Sequence, residues 1–189
     1  NVDPIRHLGF VHRWYLLGPF DAPGMSGFDQ VFPPESDAGA IDLSARFSGK
    51  DGRELRWQLH ESRDALGQLD LVAAIAPVRE AVGFAYGELD LAQSQTVELR
   101  CSADDNLTIW LNGKQVLAQR QWLNGTRLDR FVVSVPLEAG TNRLLVKICQ
   151  GPQHVDPAVP NNWSFQLRLC DATGAGIPFE NRLPKPEEK

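Results

Sequence analysis

The chain lacks a basic excess and a long apolar run, and both absences narrow the possible functions. Its 189 residues carry 19 Lys and Arg against 24 Asp and Glu, a formal net charge of -5, whereas duplex nucleic acid is normally held by a basic face. The longest apolar stretch, residues 69–78, is broken by Asp70 and Pro77. It is far shorter than the roughly 20 residues that a membrane-spanning helix needs. We therefore expect neither nucleic-acid binding nor membrane insertion.

Cysteine is also scarce. Only Cys101, Cys149 and Cys170 are present, and an odd number at wide spacing is no disulfide framework. No Cys and His pair has the spacing of zinc ligands. The sequence therefore predicts free thiols, with Cys101 buried on an apolar strand face.

Alternation of apolar and polar residues, the period of a half-buried antiparallel strand, runs through most of the chain. In segment 96–118, Asn112-Gly113 separates two alternating runs. Asn-Gly favours a type I′ turn, whose two central residues need positive φ, so the sequence predicts a hairpin with this turn. Trp110 is out of phase with the apolar residues around it. It is expected on the opposite strand face, which in a two-layer sandwich is the outer face unless another element covers it.

Other segments complete an all-β pattern. Segment 66–78 is ambiguous between a strand and a short helix. Segment 18–37 holds four of the 13 prolines and is expected to be a long loop packed over one end of the domain. Eight or so strands separated by turn signals indicate a sandwich or barrel. The remaining predicted strands are 10–17, 55–59, 81–91, 131–137, 143–149 and 163–170.

One domain is the expectation for a chain of this length. We divide it into an N-terminal arm (1–9), a β-sandwich (10–180) and a charged, proline-rich, linker-like tail (181–189). The chain opens at Asn1, without an initiator Met, and is interpreted as a piece of a longer protein. Neighbouring domains of that parent protein are therefore expected partners.

Four short motifs resemble those of galactose-binding-like jelly-roll domains, which are related in kind to carbohydrate-binding modules. They are WYLLGPF (14–20), SADDN with IWLNGK (102–114), AGTNRLLVK (139–147) and WSFQLRL (163–169). Their order matches that family over most of the chain. The resemblance implies an all-β fold, a single jelly-roll β-sandwich of about eight or more antiparallel strands. It also implies an accessory module of a large secreted bacterial protein, exported to the periplasm or the extracellular space.

Asp104 and Asp105 lie in an oxygen-rich loop with Ser102 and Asn106. Paired carboxylates with carbonyl oxygens suit Ca²⁺, a hard cation that takes six to eight oxygen ligands. A similar paired-aspartate loop binds calcium in anthrax-protective-antigen-type lectin domains, which this hairpin also resembles. The alternative is that both aspartates cap backbone N–H groups in a tight turn. A structural Ca²⁺ at Asp104 and Asp105 is the metal hypothesis.

A separate ligand site is predicted around Trp122, in a loop-like segment that also holds Arg120, Asn124 and Arg127. Sugars stack an apolar ring face on an aromatic side chain while nearby polar groups bind the hydroxyls. The alternative is that Trp122 plugs one end of the sandwich. Four further tryptophans lie in predicted strands and are expected to pack in the core or on sheet faces: Trp14, Trp57, Trp110 and Trp163.

The sequence favours a non-catalytic accessory module that binds carbohydrate. The alternative is a structural or protein-interaction β-sandwich domain with no sugar site. A polysaccharide-acting enzyme is a third reading with little support, because the four histidines are scattered and no G-x-S-x-G motif is present. Carboxylate pairs for glycoside cleavage could be drawn from any chain with 24 acidic residues.

Overall fold

The computed structural model describes residues 7–122, 125–182 and 184. Its strands are β1 (Arg13–Asp21), β2 (Arg46–Ser48), β3 (Glu54–Arg56), β4 (Gln58–Glu61), β5 (Leu69–Asp70), β6 (Ala81–Leu91), β7 (Gln95–Asp104), β8 (Leu107–Leu111), β9 (Lys114–Gln119), β10 (Phe131–Leu137), β11 (Gly140–Gln150), β12 (Ser164–Cys170) and β13 (Glu180–Arg182). Two short helices, α1 (Pro33–Ser36) and α2 (Leu71–Ala74), and two 3₁₀ turns (Ser26–Phe28 and Lys50–Gly52) accompany them. No helix among the described residues is long and apolar enough to cross a membrane.

Two antiparallel sheets face each other. The larger has the order β4-β1-β6-β11-β8-β9, with β13 paired to β6, and the smaller has the order β10-β7-β12-β5. Strands β2 and β3 form a separate two-stranded ribbon. The all-β sandwich predicted from the alternating pattern is therefore confirmed.

The central strands of the larger sheet (β1, β6, β11 and β8) are buried on both faces, and β6 shows why. Its Ala85 and Leu89 point into the core between the two sheets, whereas Phe84 and Tyr86 point outward into a second apolar cluster. The segment between β1 and β4 covers that outer face and contributes Phe32, Leu55 and Trp57, among others. Because successive strand residues point to opposite faces, a strand covered on both sides is apolar at nearly every position.

The outer cluster also contains Trp110. The side chain therefore lies on the face opposite Ile109, as its phase in the sequence predicts, but a covering segment buries it. Trp14 and Trp163 belong instead to the core between the sheets. All three cysteines are free and buried, as expected.

Segment 96–118 differs from the predicted single hairpin. Strand β7 pairs with β10 and β12 in the smaller sheet, whereas β8 pairs with β9 and β11 in the larger sheet. The hairpin is therefore limited to β8 and β9, because the chain crosses between sheets at Asp104 and Asp105. This crossing places the two aspartates at one end of the sandwich.

Two other boundaries depend on local contacts. Strand β1 continues past Gly18 to Asp21 through a register shift between Leu17 and Phe20, so it extends into the predicted loop 18–37. The ambiguous segment 66–78 contains both a strand and a helix, β5 followed by α2. Asp70 ends the strand and caps the helix by accepting hydrogen bonds from Val72 N–H (2.9 Å) and Ala73 N–H (3.3 Å).

The predicted arm and tail fall largely on residues that lie outside the described ranges. Of the tail, residues 181 and 182 belong to β13, which pairs with β6. The division into arm, sandwich and linker stays a prediction.

The turn between β8 and β9 supports a stability prediction. Asn112 and Gly113 have φ of 50° and 80°, and a Cβ at Gly113 would lie 3.2 Å from Gly39 Cα. Gly113→Val should therefore lower the free energy of unfolding by about 1 kcal/mol or more, because a β-branched residue resists positive φ. Urea unfolding measures this. Lys114→Val is the control, since a strand position favours valine, and equal losses in the two variants would refute the turn argument.

Candidate functional site

The candidate site lies at the end of the sandwich where β7 and β11 end. A cavity of about 290 Å³ opens between the Asp104-Asp105 crossing, Trp122 and the loop 151–162. The cavity forms here because the chain crosses from β7 in the smaller sheet to β8 in the larger sheet. The crossing lies next to the point where β11 ends and the loop 151–162 begins. Three segments that are distant in sequence therefore border one space.

Each aspartate holds a neighbouring loop. An oxygen of Asp104 accepts a hydrogen bond from Gly125 N–H, and Oδ2 of Asp105 accepts one from Gly151 N–H at 3.0 Å. The Asp105 N–H in turn donates to the carbonyl of Cys149 at 3.1 Å. Both aspartates thus accept hydrogen bonds from backbone N–H groups, as the alternative to a metal site expected, but the donors belong to two distant loops rather than to a tight turn. These bonds tie both loops to the crossing.

Burial makes this pair of carboxyl groups electrostatically unusual. Asp104 is only 3% exposed, and loss of solvent raises the pKa of both carboxyl groups. The N–H of Gly151 lowers the pKa of Asp105, whereas the charge of Asp104 raises it. When both groups are ionised, these adjacent carboxylates repel each other, and a bound cation would offset that repulsion.

The atoms around the pair suit a hard cation. Within the described part of the chain, no group of three or more His, Cys, Asp or Glu residues could hold a metal. An ion would therefore take two carboxylates and complete its shell with carbonyl, amide, water or ligand oxygens. The side chains of Gln150 and Asn162 line the same cavity. An all-oxygen set fits Ca²⁺ when both carboxyl groups are ionised. Burial opposes this and raises the pKa of Asp105 to about 7, whereas Arg79, which lines the same cavity, lowers the pKa of both carboxyl groups.

Trp122 borders the cavity from the other side and is half-buried. Its ring lies against the backbone of Gly151, where an added Cβ would come within 2.8 Å of Trp122 Cζ3. Glycine at 151 therefore permits the close approach of the ring to the loop. Trp163, by contrast, is 0% exposed, so Trp122 does not share the fully enclosed position of the core tryptophans.

Arg120 and Arg127, two of the other predicted ligand residues, do not line this cavity. Arg120 forms an ion pair with Asp29 and lies 4.6 Å from the centroid of the Phe28 ring. Arg127 is exposed, and its backbone N–H donates to Ser102 Oγ at 2.9 Å. Asn124 lies outside the described residues.

Two sites that the sequence treated separately thus form one. Trp122, Asp104 and Asp105 line the same cavity, although they were predicted as a sugar site and a metal site. Sequence reasoning gave no role to the loop 151–162, which contributes the Gln153 and His154 side chains to the lining. Its proline and asparagine content indicated a loop but carried no signal for its position.

Comparisons with known proteins find only distant likenesses. No family model matches the sequence, and no curated protein matches it. The PA14 sugar-binding domain from an RTX adhesin is 16% identical, with a TM-score of 0.41 over 91% of this chain and 96% of that chain. A β-glucosidase from Kluyveromyces marxianus in complex with glucose is 13% identical, with a TM-score of 0.45 over 69% of this chain and 16% of that chain. At these values, the likenesses carry no inference about the ligand of this chain.

Proposed function

We propose that this chain is a non-catalytic, carbohydrate-binding accessory module whose site is the cavity bordered by Trp122, Asp104 and Asp105. One observation carries the proposal: a half-buried tryptophan borders the same cavity as the buried carboxyl group of Asp104 and the half-buried carboxyl group of Asp105. An aromatic face for the apolar side of a sugar ring and convergent oxygen and amide groups for its hydroxyls are what a carbohydrate site requires. The motif resemblance further supports a galactose-binding-like jelly-roll module of an exported bacterial protein.

Calcium belongs to this proposal as the partner of Asp104 and Asp105. When bound, Ca²⁺ supplies a positive charge and open coordination positions for neutral oxygens such as hydroxyls. The chain contributes the two carboxylates and keeps them in place through Gly125 N–H and Gly151 N–H. Because those bonds also join two loops, occupancy of the ion and the shape of the cavity are coupled.

The geometry supports binding over glycoside cleavage. The carboxyl groups of Asp104 and Asp105 lie within hydrogen-bonding reach of each other. A glycosidase carboxylate pair flanks the scissile bond at about 5 Å or more. The described residues that line the cavity include no serine, threonine or cysteine as a nucleophile.

A protein-interaction role has one observation in its favour. The rim of the cavity carries two exposed apolar side chains, Met25 and Val155, and the latter is 96% exposed. Contiguous exposed apolar patches mark surfaces that bind proteins. This alternative does not use the paired carboxylates, so calcium dependence separates it from sugar binding.

Calcium should stabilise the fold. A ligand that binds only the native state raises stability by about 2.7 kcal/mol at 100 times its Kd, so millimolar Ca²⁺ should raise the melting temperature above that measured in chelator. Asp105→Asn should abolish the shift, because the amide keeps one acceptor oxygen for Gly151 N–H but removes the charge. Asp51→Asn, at an exposed turn position, is the matched control. Identical melting temperatures in calcium and in chelator would mean that the two aspartates bind no calcium and serve only to hold the backbone.

Trp122→Ala should abolish sugar binding while the fold stays intact, because the substitution removes the stacking surface from a half-buried ring. Trp122→Phe retains an aromatic face and should retain part of the binding. A glycan array measures binding, and urea unfolding measures the fold. A destabilisation of roughly 3–5 kcal/mol in Trp122→Ala, typical of a buried aromatic, would instead identify the ring as core.

A further inference from the structure

A second cavity lies beside the first. It has a volume of about 300 Å³ and shares Asn162 with the first cavity. Its wall includes Gly125, whose N–H donates to Asp104. Gln150 of the first cavity donates to the side-chain oxygen of Asn161 in the second. The two spaces therefore adjoin through shared and hydrogen-bonded walls.

The second cavity is lined by neutral polar side chains that suit hydroxyl groups. Thr126 Oγ1 donates to Gln68 Oε1 at 3.1 Å, and Gln68 Nε2 donates to Ser164 Oγ at 3.3 Å. Amide and hydroxyl groups both donate and accept, so these three side chains can exchange mutual hydrogen bonds for bonds to a ligand. The carboxylate of Asp70, also in the wall, already caps α2.

The volumes of the two cavities favour a single binding site that includes both. Ligand pockets usually measure roughly 300–1,000 Å³, and each cavity alone is at the lower limit of that range. The combined volume of the two cavities lies well inside that range. The lining also differs between the two cavities. The first presents an aromatic ring and charged groups, and the second presents neutral hydroxyl and amide groups.

We propose that the two cavities form one groove that takes an oligosaccharide of at least two sugar residues. One residue lies at Trp122 and the paired aspartates, and the next lies at Gln68, Thr126 and Ser164. This inference rests on the proposed function, and it identifies the ligand class as chains rather than single sugars.

The test compares monosaccharides with their disaccharides by isothermal titration calorimetry in millimolar Ca²⁺. The probes are galactose, glucose, mannose and N-acetylglucosamine, with lactose, cellobiose, mannobiose and chitobiose. At least one disaccharide should bind about tenfold more tightly than the monosaccharide it contains, since the second residue adds one or two neutral hydrogen bonds. Gln68→Ala should remove that gain and leave the monosaccharide affinity unchanged.

Controls separate the groove from a general effect on the fold. Gln115→Ala changes the same residue type at an exposed position of β9, beside the turn at the opposite end of β8, and should keep the tenfold gain. Thr126→Val keeps the shape of the side chain and should reduce the gain as Gln68→Ala does. Equal affinities for all disaccharides and monosaccharides, or equal weakening of both by Gln68→Ala, would overturn the groove and leave sugar binding standing. No binding of any of the eight probes would overturn the proposed function as well.

Discussion

Lys147→Ala is expected to lower the free energy of unfolding by about 3–5 kcal/mol, the cost of breaking a buried ion pair by removing one partner. The Lys147 side chain is 2% exposed, and its Nζ lies 2.8 Å from Glu35 Oε1. The ammonium also donates to the carbonyl of Gln30 at 2.7 Å and lies 5.1 Å from the centroid of the Phe32 ring. Lys147 thus fastens the covering segment to the outer face of the larger sheet.

A double variant distinguishes the cost of leaving Glu35 without its charged partner from the cost of losing the packing of the Lys147 side chain. Lys147→Met combined with Glu35→Gln removes both charges and keeps an acceptor oxygen for the Phe32 N–H, so no unpaired charge, the main source of the penalty, stays buried. It should therefore recover most of the loss in urea unfolding. Lys114→Ala, at an exposed lysine, should have little effect. If Lys147→Ala behaves like Lys114→Ala, the ion pair does not hold the segment.

Trp163→Ala is expected to cost a similar amount, about 3–5 kcal/mol, because it opens a large cavity in the core. Trp163 is 0% exposed, and its Nε1 donates to the carbonyl of Ile148 at 3.2 Å. This contact joins the residue that precedes β12 of the smaller sheet to β11 of the larger sheet. Loss of the ring would remove packing and leave that carbonyl without its donor.

Comparison with Trp122→Ala gives this prediction its control. Both substitutions delete the same side chain, but Trp122 is half-buried at the cavity whereas Trp163 is enclosed. Thermal and urea unfolding should separate the two variants clearly, with Trp163→Ala far less stable. Equal losses would mean that Trp122 is as much a core residue as Trp163.

Strands could be predicted from the sequence because their signal is local. Strand β6 has the bounds Ala81–Leu91 that its alternation predicts, and the Asn112-Gly113 turn has the positive φ that it needs. The second apolar cluster was harder to foresee. Trp110 was assigned to the outer face, but nothing in the sequence showed that the segment between β1 and β4 would cover it.

The candidate site could be predicted in its residue types but not in its assembly. Asp104, Asp105 and Trp122 each carry chemistry that is visible in the sequence. They come together because the chain crosses between the sheets after β7 and because the loop 151–162 is bound to Asp105 through Gly151. No local sequence pattern predicts either feature. Lys147 illustrates the same limit: the sequence predicts its strand, whereas its partner Glu35 comes from a distant segment.

The central claim is that Trp122, Asp104 and Asp105 form one calcium-dependent sugar site. A glycan array probed with the same protein in millimolar Ca²⁺ and in chelator, together with Asp105→Asn and Trp122→Ala, tests it most directly. The account predicts that the wild-type chain binds a set of glycans in calcium, and that chelation and each substitution abolish this binding. Binding that persists in chelator and in Asp105→Asn, or no binding of any glycan in calcium, would contradict it.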